Sequence, residues 1–169
     1  MQTQNLFDNY LRDLGKVIGN LHSLELMLRL FLHNVELKRY GSPPPEVSLD
    51  EIKVGDFIQE NYFVNYDSLG DLVNKYNDII TSRGSSELSV DETTVKLRDA
   101  FAHGRVLGSQ PSPPFKLYKF GRPSRKCRVK VQRIANLTEK ELAEYIRHVL
   151  NQIKKVEEAC KLYCPEIIG

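Results

Sequence analysis

Nine positions near the start of the chain, Phe7, Leu11, Leu14, Ile18, Leu21, Glu25, Leu28, Leu32 and Val35, follow one another in alternating steps of four and three. All are apolar except Glu25. That spacing lines up one side of an α-helix, as in the seam of a helical bundle, and predicts a single amphipathic helix over residues 5–39. Gly41 and the run Pro43-Pro44-Pro45 stop it, because proline lacks the N–H that would continue the ladder. A carboxylate in such a seam is costly unless it is paired, so Glu25 calls for a cation. Arg98 is one choice. Arg29, one turn on, is the other if the seam drifts as the helix turns, and the local pair is slightly favoured.

Further helices follow. Residues 42–66 have no clear period, and Phe57, Ile58, Tyr62, Phe63 and Tyr66 are expected to pack onto the bundle. A second helix is predicted over 68–82, with Leu69, Leu72, Val73, Tyr76, Ile79 and Ile80 on one face and Ser68 with Asp71 as a capping pair. Arg83-Gly84-Ser85-Ser86 reads as a turn. A third helix begins near Ser89, with Glu92 at capping-box spacing, and ends at Gly104. A last helix starts at the Thr138/Glu141 capping box, where Leu137 can staple to Leu142. It carries Leu142, Tyr145, Ile146, Val149, Ile153, Val156 and Cys160 as its buried stripe. Between them, after prolines 111, 113 and 114, Phe115–Phe120 and Cys127–Ile134 read as the two strands of a hairpin around Gly121-Arg122-Pro123-Ser124. In the second strand Cys127, Val129 and Val131 alternate with Arg128, Lys130 and Gln132. The expected architecture is therefore all-α: one domain over 1–169, a bundle of about four main helices, with a small β-hairpin inserted at about 114–135.

Charge is unevenly spread. From Gly104 to Thr138 there is no Asp or Glu, yet the stretch holds Arg105, Lys116, Lys119, Arg122, Arg125, Lys126, Arg128, Lys130 and Arg133. The rest of the chain carries 15 basic against 22 acidic residues. Such asymmetry suits a polyanion-facing surface, with Lys116, Lys119, Arg122, Arg125, Lys126, Arg128 and Lys130 on RNA phosphates. It equally suits a solvated hairpin whose lysines discourage edge-to-edge pairing.

Several chemistries find no motif. No glycine-rich phosphate loop, dinucleotide fingerprint or serine-nucleophile pattern occurs. Cys160 and Cys164 lie one turn apart without a second Cys or His pair at zinc spacing, and His22, His33 and His148 are isolated on helices. No metal and no cofactor are expected. Three cysteines do not make a disulfide framework, no apolar run approaches the ~20 residues that span a bilayer, and the first residues lack a signal-peptide pattern. A cytoplasmic protein without a membrane partner is the expectation.

What remains is the end of the third helix, Leu97-Arg98-Asp99-Ala100-Phe101-Ala102-His103-Gly104. Arginine neutralises charge on phosphoryl oxygens and histidine moves protons near neutral pH. On a helical projection Val90, Thr94, Leu97 and Phe101 face the bundle, while Val95, Asp99, Ala102 and His103 share the far side with Arg98 at its border. That far side is short of the lysines and glutamates of an ordinary surface helix. A second copy of the chain is the simplest cover, since most soluble oligomers are two-fold dimers. Two copies would bring two histidines and two arginines to one phosphate, which is what base and acid catalysis of RNA cleavage needs. The same residues also suit a plain helix end with a favourable C-terminal cation.

Arg98-Asp99 followed by Ala102-His103-Gly104 resembles the signature of the HEPN superfamily: an arginine, a polar residue directly after it, and a histidine four to six residues beyond. The helical organisation is similar too, with a long first helix, the motif ending an internal helix and a long last helix. The resemblance spans most of the chain in architecture and about ten residues in motif. It implies a metal-independent endoribonuclease acting as a homodimer, of the kind found among toxins of toxin–antitoxin pairs and antiviral effectors. Arg98 would hold the scissile phosphate, His103 would transfer protons and Asp99 would orient one of them. An antitoxin or other protein partner would then be expected. Other members keep the fold as catalytically silent RNA-binding or protein-interaction domains, and a purely structural bundle is a third possibility. The basic hairpin is no part of the family's minimal pattern.

Overall fold

The structure, a computed structural model, describes residues 2–36, 53–58, 60–108, 113–124, 126 and 128–165. Its element order is α1 (Gln2–Val35), α2 (Leu69–Ser82), a 3-10 turn (Ser86–Leu88), α3 (Glu92–His103), β1 (Arg105–Leu107), β2 (Phe115–Phe120), β3 (Val131–Leu137) and α4 (Glu139–Tyr163). The chain is mainly helical, as the sequence implies, and the expected hairpin gains a third strand, becoming a small antiparallel sheet ordered β1-β2-β3. The predicted helix stop at Gly41 and Pro43–Pro45, and Pro111, Arg125 and Cys127, lie outside the described residues. No helix among the described residues is long and apolar enough to cross a membrane.

Contacts divide the chain into two compact units, 1–24 with 91–153 and 25–90 with 154–169. In the first unit the buried side chains are Tyr10, Val17, Leu21 and Leu24 of α1, Thr94, Leu97 and Ala100 of α3, Leu117 and Leu137 of the sheet, and Leu142, Val149 and Gln152 of α4. Phe7 and Tyr10 set ring edges against Phe115 at 6.4 and 5.2 Å between centroids. The buried Thr94 and Gln152 side chains are both bonded: Thr94 Oγ1 to His148 Nε2 at 2.8 Å, and Gln152 Oε1 as acceptor of the Asp91 N–H at 3.0 Å. The α4 cap forms as the sequence implies, with Thr138 Oγ1 donating to Glu141 Oε2 at 2.7 Å and accepting the Glu141 N–H at 3.3 Å.

In the second unit Leu28, Phe31, Leu32, Tyr62, Leu69, Leu72, Tyr76 and Ile80 are completely or almost completely buried. Ser68 caps α2 by the full capping box with Asp71, and those bonds, led by the one from the Ser68 side chain, hold the Asp71 carboxyl below its usual range. Phe31 meets Tyr76 edge-on at 4.9 Å, and the Tyr76 hydroxyl donates to the Leu88 carbonyl at 3.1 Å. Burial, and secondarily Cys164 and Glu157 nearby, push the Cys160 thiol up to about 11, so it stays protonated at neutral pH.

Glu25 meets the Arg29 guanidinium, with Oε1 3.0 Å from Nη2 and 3.3 Å from Nε. Arg29 also donates to the carbonyls of Tyr62 at 2.6 Å and Asp67 at 2.8 Å and to Asn65 Oδ1 at 2.8 Å. All five guanidinium N–H groups are thereby used, and they tie the segment 62–67 onto α1.

Four corrections to the sequence reading have physical causes. Of the expected α1 seam Leu21, Leu28 and Leu32 are buried, but Tyr10, Val17, Leu24 and Phe31 complete the stripe, whereas Leu11 and Ile18 are 47% and 39% exposed. A second set of apolar residues spaced by fours and threes was available one position earlier, and Tyr10, Val17 and Leu24 fill it. Of the five connector residues expected to pack, only Tyr62 is buried, because the Arg29 bonds anchor that part of the chain; Phe57 and Tyr66 are fully exposed. The α3 cap is Asp91, whose side chain accepts the Thr93 N–H, because Ser89 already ends the 3-10 turn. Finally, β3 runs Val131–Leu137 instead of 127–134, and Val129 and Val131 are half exposed. Strand pairing ends at Phe120 and Val131, and beyond it Gly121 N–H donates to the Lys130 carbonyl and Ser124 N–H to the Arg128 carbonyl, each at 2.8 Å.

Candidate functional site

Helix α3 ends one residue before the sheet begins, so the motif and β1–β2 belong to one local structure within the first unit. The hinge is Gly104. Its φ of −82° is available to any residue, so Gly104 is not there as a left-handed cap. Glycine is required there by space. A Cβ would lie 2.2 Å from the Ala100 carbonyl oxygen, 2.7 Å from Leu117 Cδ1 and 3.2 Å from the Tyr118 carbonyl oxygen. The chain turns from helix to strand directly against β2. Gly104→Ala is expected to cost about 1–3 kcal/mol, since the backbone must move to admit the methyl, measured by urea denaturation. An unchanged midpoint would mean that helix and strand separate freely at this point.

Asp99 stands between two cations. Its Oδ1 lies 3.4 Å from Arg98 Nη1 and its Oδ2 lies 3.7 Å from Lys119 Nζ, with all three side chains between about a quarter and two fifths exposed. Lys119 projects from the face of β2 that also carries the buried Leu117, which is how a strand residue reaches the helix. The far face of α3 is thus covered in part by this chain's own sheet: Val95 and Asp99 are half-buried, while Ala102 and His103 remain exposed. A covered face therefore does not by itself require a second copy.

His103 lies on an open depression of about 400 Å³ lined also by Arg105, Phe120, Gly121, Pro123 and Val129. The imidazole and the Arg105 guanidinium thus share a surface large enough for a phosphate and its sugar. Sequence reasoning had not placed Arg105 among the site residues; its position directly after the motif glycine, in the stretch free of acidic residues, was the available signal.

The cations of the hairpin are dispersed. Lys116 is exposed on β2, Lys119 is engaged with Asp99, and Arg122, Lys126, Arg128 and Lys130 are on or beside the loop, at or near the surface; Arg125 lies outside the described residues. Among the described residues no three of His, Cys, Asp and Glu gather as a metal ion would require. No protein-family model, curated protein or solved structure matches the chain.

Proposed function

We propose that the chain is an endoribonuclease that works without a metal ion, through His103 and Arg98, as a HEPN-like homodimer. The observation that supports this reading is an exposed imidazole, at the end of the helix that carries Arg98, on a depression that it shares with Arg105 and that no carboxylate lines. In the reaction, a base takes the proton of a ribose 2′-hydroxyl, whose oxygen attacks the adjacent phosphorus. An acid delivers a proton to the departing 5′-oxygen, leaving a 2′,3′-cyclic phosphate and a 5′-hydroxyl. Arginine offsets the charge that gathers on the phosphoryl oxygens between those steps. One His103 per chain supplies one proton-transfer group, and a two-fold partner apposed through α3 supplies the other. Asp99, held between Arg98 and Lys119, fixes the arginine's position. The direct test incubates the purified chain with mixed RNAs in EDTA. Cleavage that disappears in His103→Ala supports the reading, and RNA left intact across repeated substrates overturns it.

The dimer is tested separately. Light scattering at micromolar concentration is expected to return twice the chain mass, and Ala102→Arg, which puts a long cation into the exposed end of that face, is expected to halve it. A monomeric wild type would remove the partner histidine from the mechanism.

A second reading, a domain that binds RNA without cutting it, is favoured by the same depression if the chain is monomeric, because a single imidazole is then left to do both proton transfers.

A further inference from the structure

The outer face of the sheet presents a feature that the ribonuclease reading does not use. Along β2, Leu117 and Lys119 point toward the helices, whereas Lys116, Tyr118 and Phe120 point away. The Tyr118 and Phe120 rings are parallel to within 7°, with centroids 6.2 Å apart. Strand pairing places Arg105 of β1 and Ile134 of β3 opposite Tyr118, and Leu107 and Asn136 opposite Lys116. Both residues are partly exposed and border open surface. Phe120 belongs to the depression that holds His103 and Arg105. Tyr118 and Lys116 belong to a second one, of about 300 Å³, completed by Leu107, Gly108 and Pro114.

A face built from two parallel aromatic rings and cations, in a stretch without a single carboxylate side chain, is complementary to an anionic polymer that carries flat apolar rings. We propose that this face is a platform for single-stranded RNA, on which successive unpaired bases stack on Tyr118 and Phe120 while Lys116 and Arg105 meet the flanking phosphates. The polarity of the track matters: Phe120 shares its depression with His103, so a strand laid along β2 delivers a phosphodiester to the imidazole. A duplex is a poor fit, because its base faces are already occupied by their neighbours. This inference rests on the ribonuclease reading for its direction and adds to it a substrate class, unpaired RNA.

The chain contains no tryptophan, so Tyr118→Trp introduces a single fluorescent reporter at the platform. In a His103→Ala background, which prevents cutting, a mixed-sequence single-stranded oligoribonucleotide is expected to quench that indole. The same sequence as a blunt duplex is expected to bind at least tenfold more weakly. With His103→Ala alone as reference, Tyr118→Ala and Phe120→Ala are each expected to weaken single-strand binding by about tenfold or more, and Tyr118→Phe is expected to retain it. Unquenched indole in the presence of bound RNA, or alanine variants that bind as the reference does, overturns the platform. Indole fluorescence that changes on dilution without RNA also overturns it, since a second copy of the chain would then occupy the face. The two proposals fail differently: RNA cut by the wild-type chain together with a silent indole in the Tyr118→Trp variant keeps the nuclease and loses the platform, whereas a quenched indole in that variant together with RNA left uncut by the wild-type chain keeps the platform and loses the nuclease.

Discussion

Replacing Arg29 by methionine is expected to lower the free energy of unfolding by roughly 3 kcal/mol or more. The side chain is only 12% exposed, and its guanidinium makes five hydrogen bonds, to Glu25, the Tyr62 and Asp67 carbonyls and Asn65. Methionine keeps most of the aliphatic volume but withdraws every donor from a partly desolvated cluster, in which the removal of one partner costs more than the pair contributed. For a chain of this length the change corresponds to a fall in melting temperature of about 6–12 °C, read by circular dichroism. Arg29→Lys is expected to recover little of the loss, because a three-donor ammonium at one point in space cannot serve acceptors spread along residues 25–67. A lysine variant as stable as wild type would show that charge alone, and not the planar fork, secures the segment.

At the other end of the chain's chemistry, His103→Ala is expected to reduce RNA cleavage by about 10²–10⁴-fold, the usual loss when a general acid or base is removed. Stability should be unchanged, because the imidazole is exposed and sits in the last turn of α3. Arg98→Ala is expected to cost about 10²–10³-fold, as for the loss of a group that stabilises transition-state charge. Arg98→Lys should restore only part of the rate, since one point charge replaces a two-pronged contact. Single-turnover rates at saturating RNA separate these losses from weakened binding. A His103→Ala protein that cuts at the wild-type rate would assign the proton transfers elsewhere.

How far the sequence could be read varied with the range of the interaction that decides each feature. Features settled within a turn of helix were legible. The Ser68/Asp71 and Thr138/Glu141 boxes and the Glu25–Arg29 pair all depend on residues three or four apart, and all are present. Features settled by distant segments were not. Two apolar stripes compete along α1, and only the packing partners of Tyr10, such as Phe115 over a hundred residues away, decide that Leu11 faces water. Strand β1 is three residues long and has no periodicity of its own. It exists because β2 offers hydrogen bonds opposite Arg105–Leu107. The glycine after His103 was legible as a helix end, but its cause, the close approach of Leu117 and the Tyr118 carbonyl, belongs to tertiary structure. The candidate site was legible to the same degree. Arg98, Asp99 and His103 were visible as a motif, whereas the Lys119 contact, Arg105 and the Tyr118–Phe120 face follow from how the sheet folds back beside α3.

The chemical identity of the ends on cut RNA is the sharpest single test of the proposed reaction. Mass spectrometry of an oligoribonucleotide cut in EDTA should find a 2′,3′-cyclic phosphate on one fragment and a 5′-hydroxyl on the other. A single 2′-deoxy residue at the cut position should abolish the break. Fragments bearing a 3′-hydroxyl and a 5′-phosphate, or cleavage that persists through the 2′-deoxy linkage, would mean that water and not the ribose attacks the phosphorus, and would contradict the mechanism assigned to His103 and Arg98.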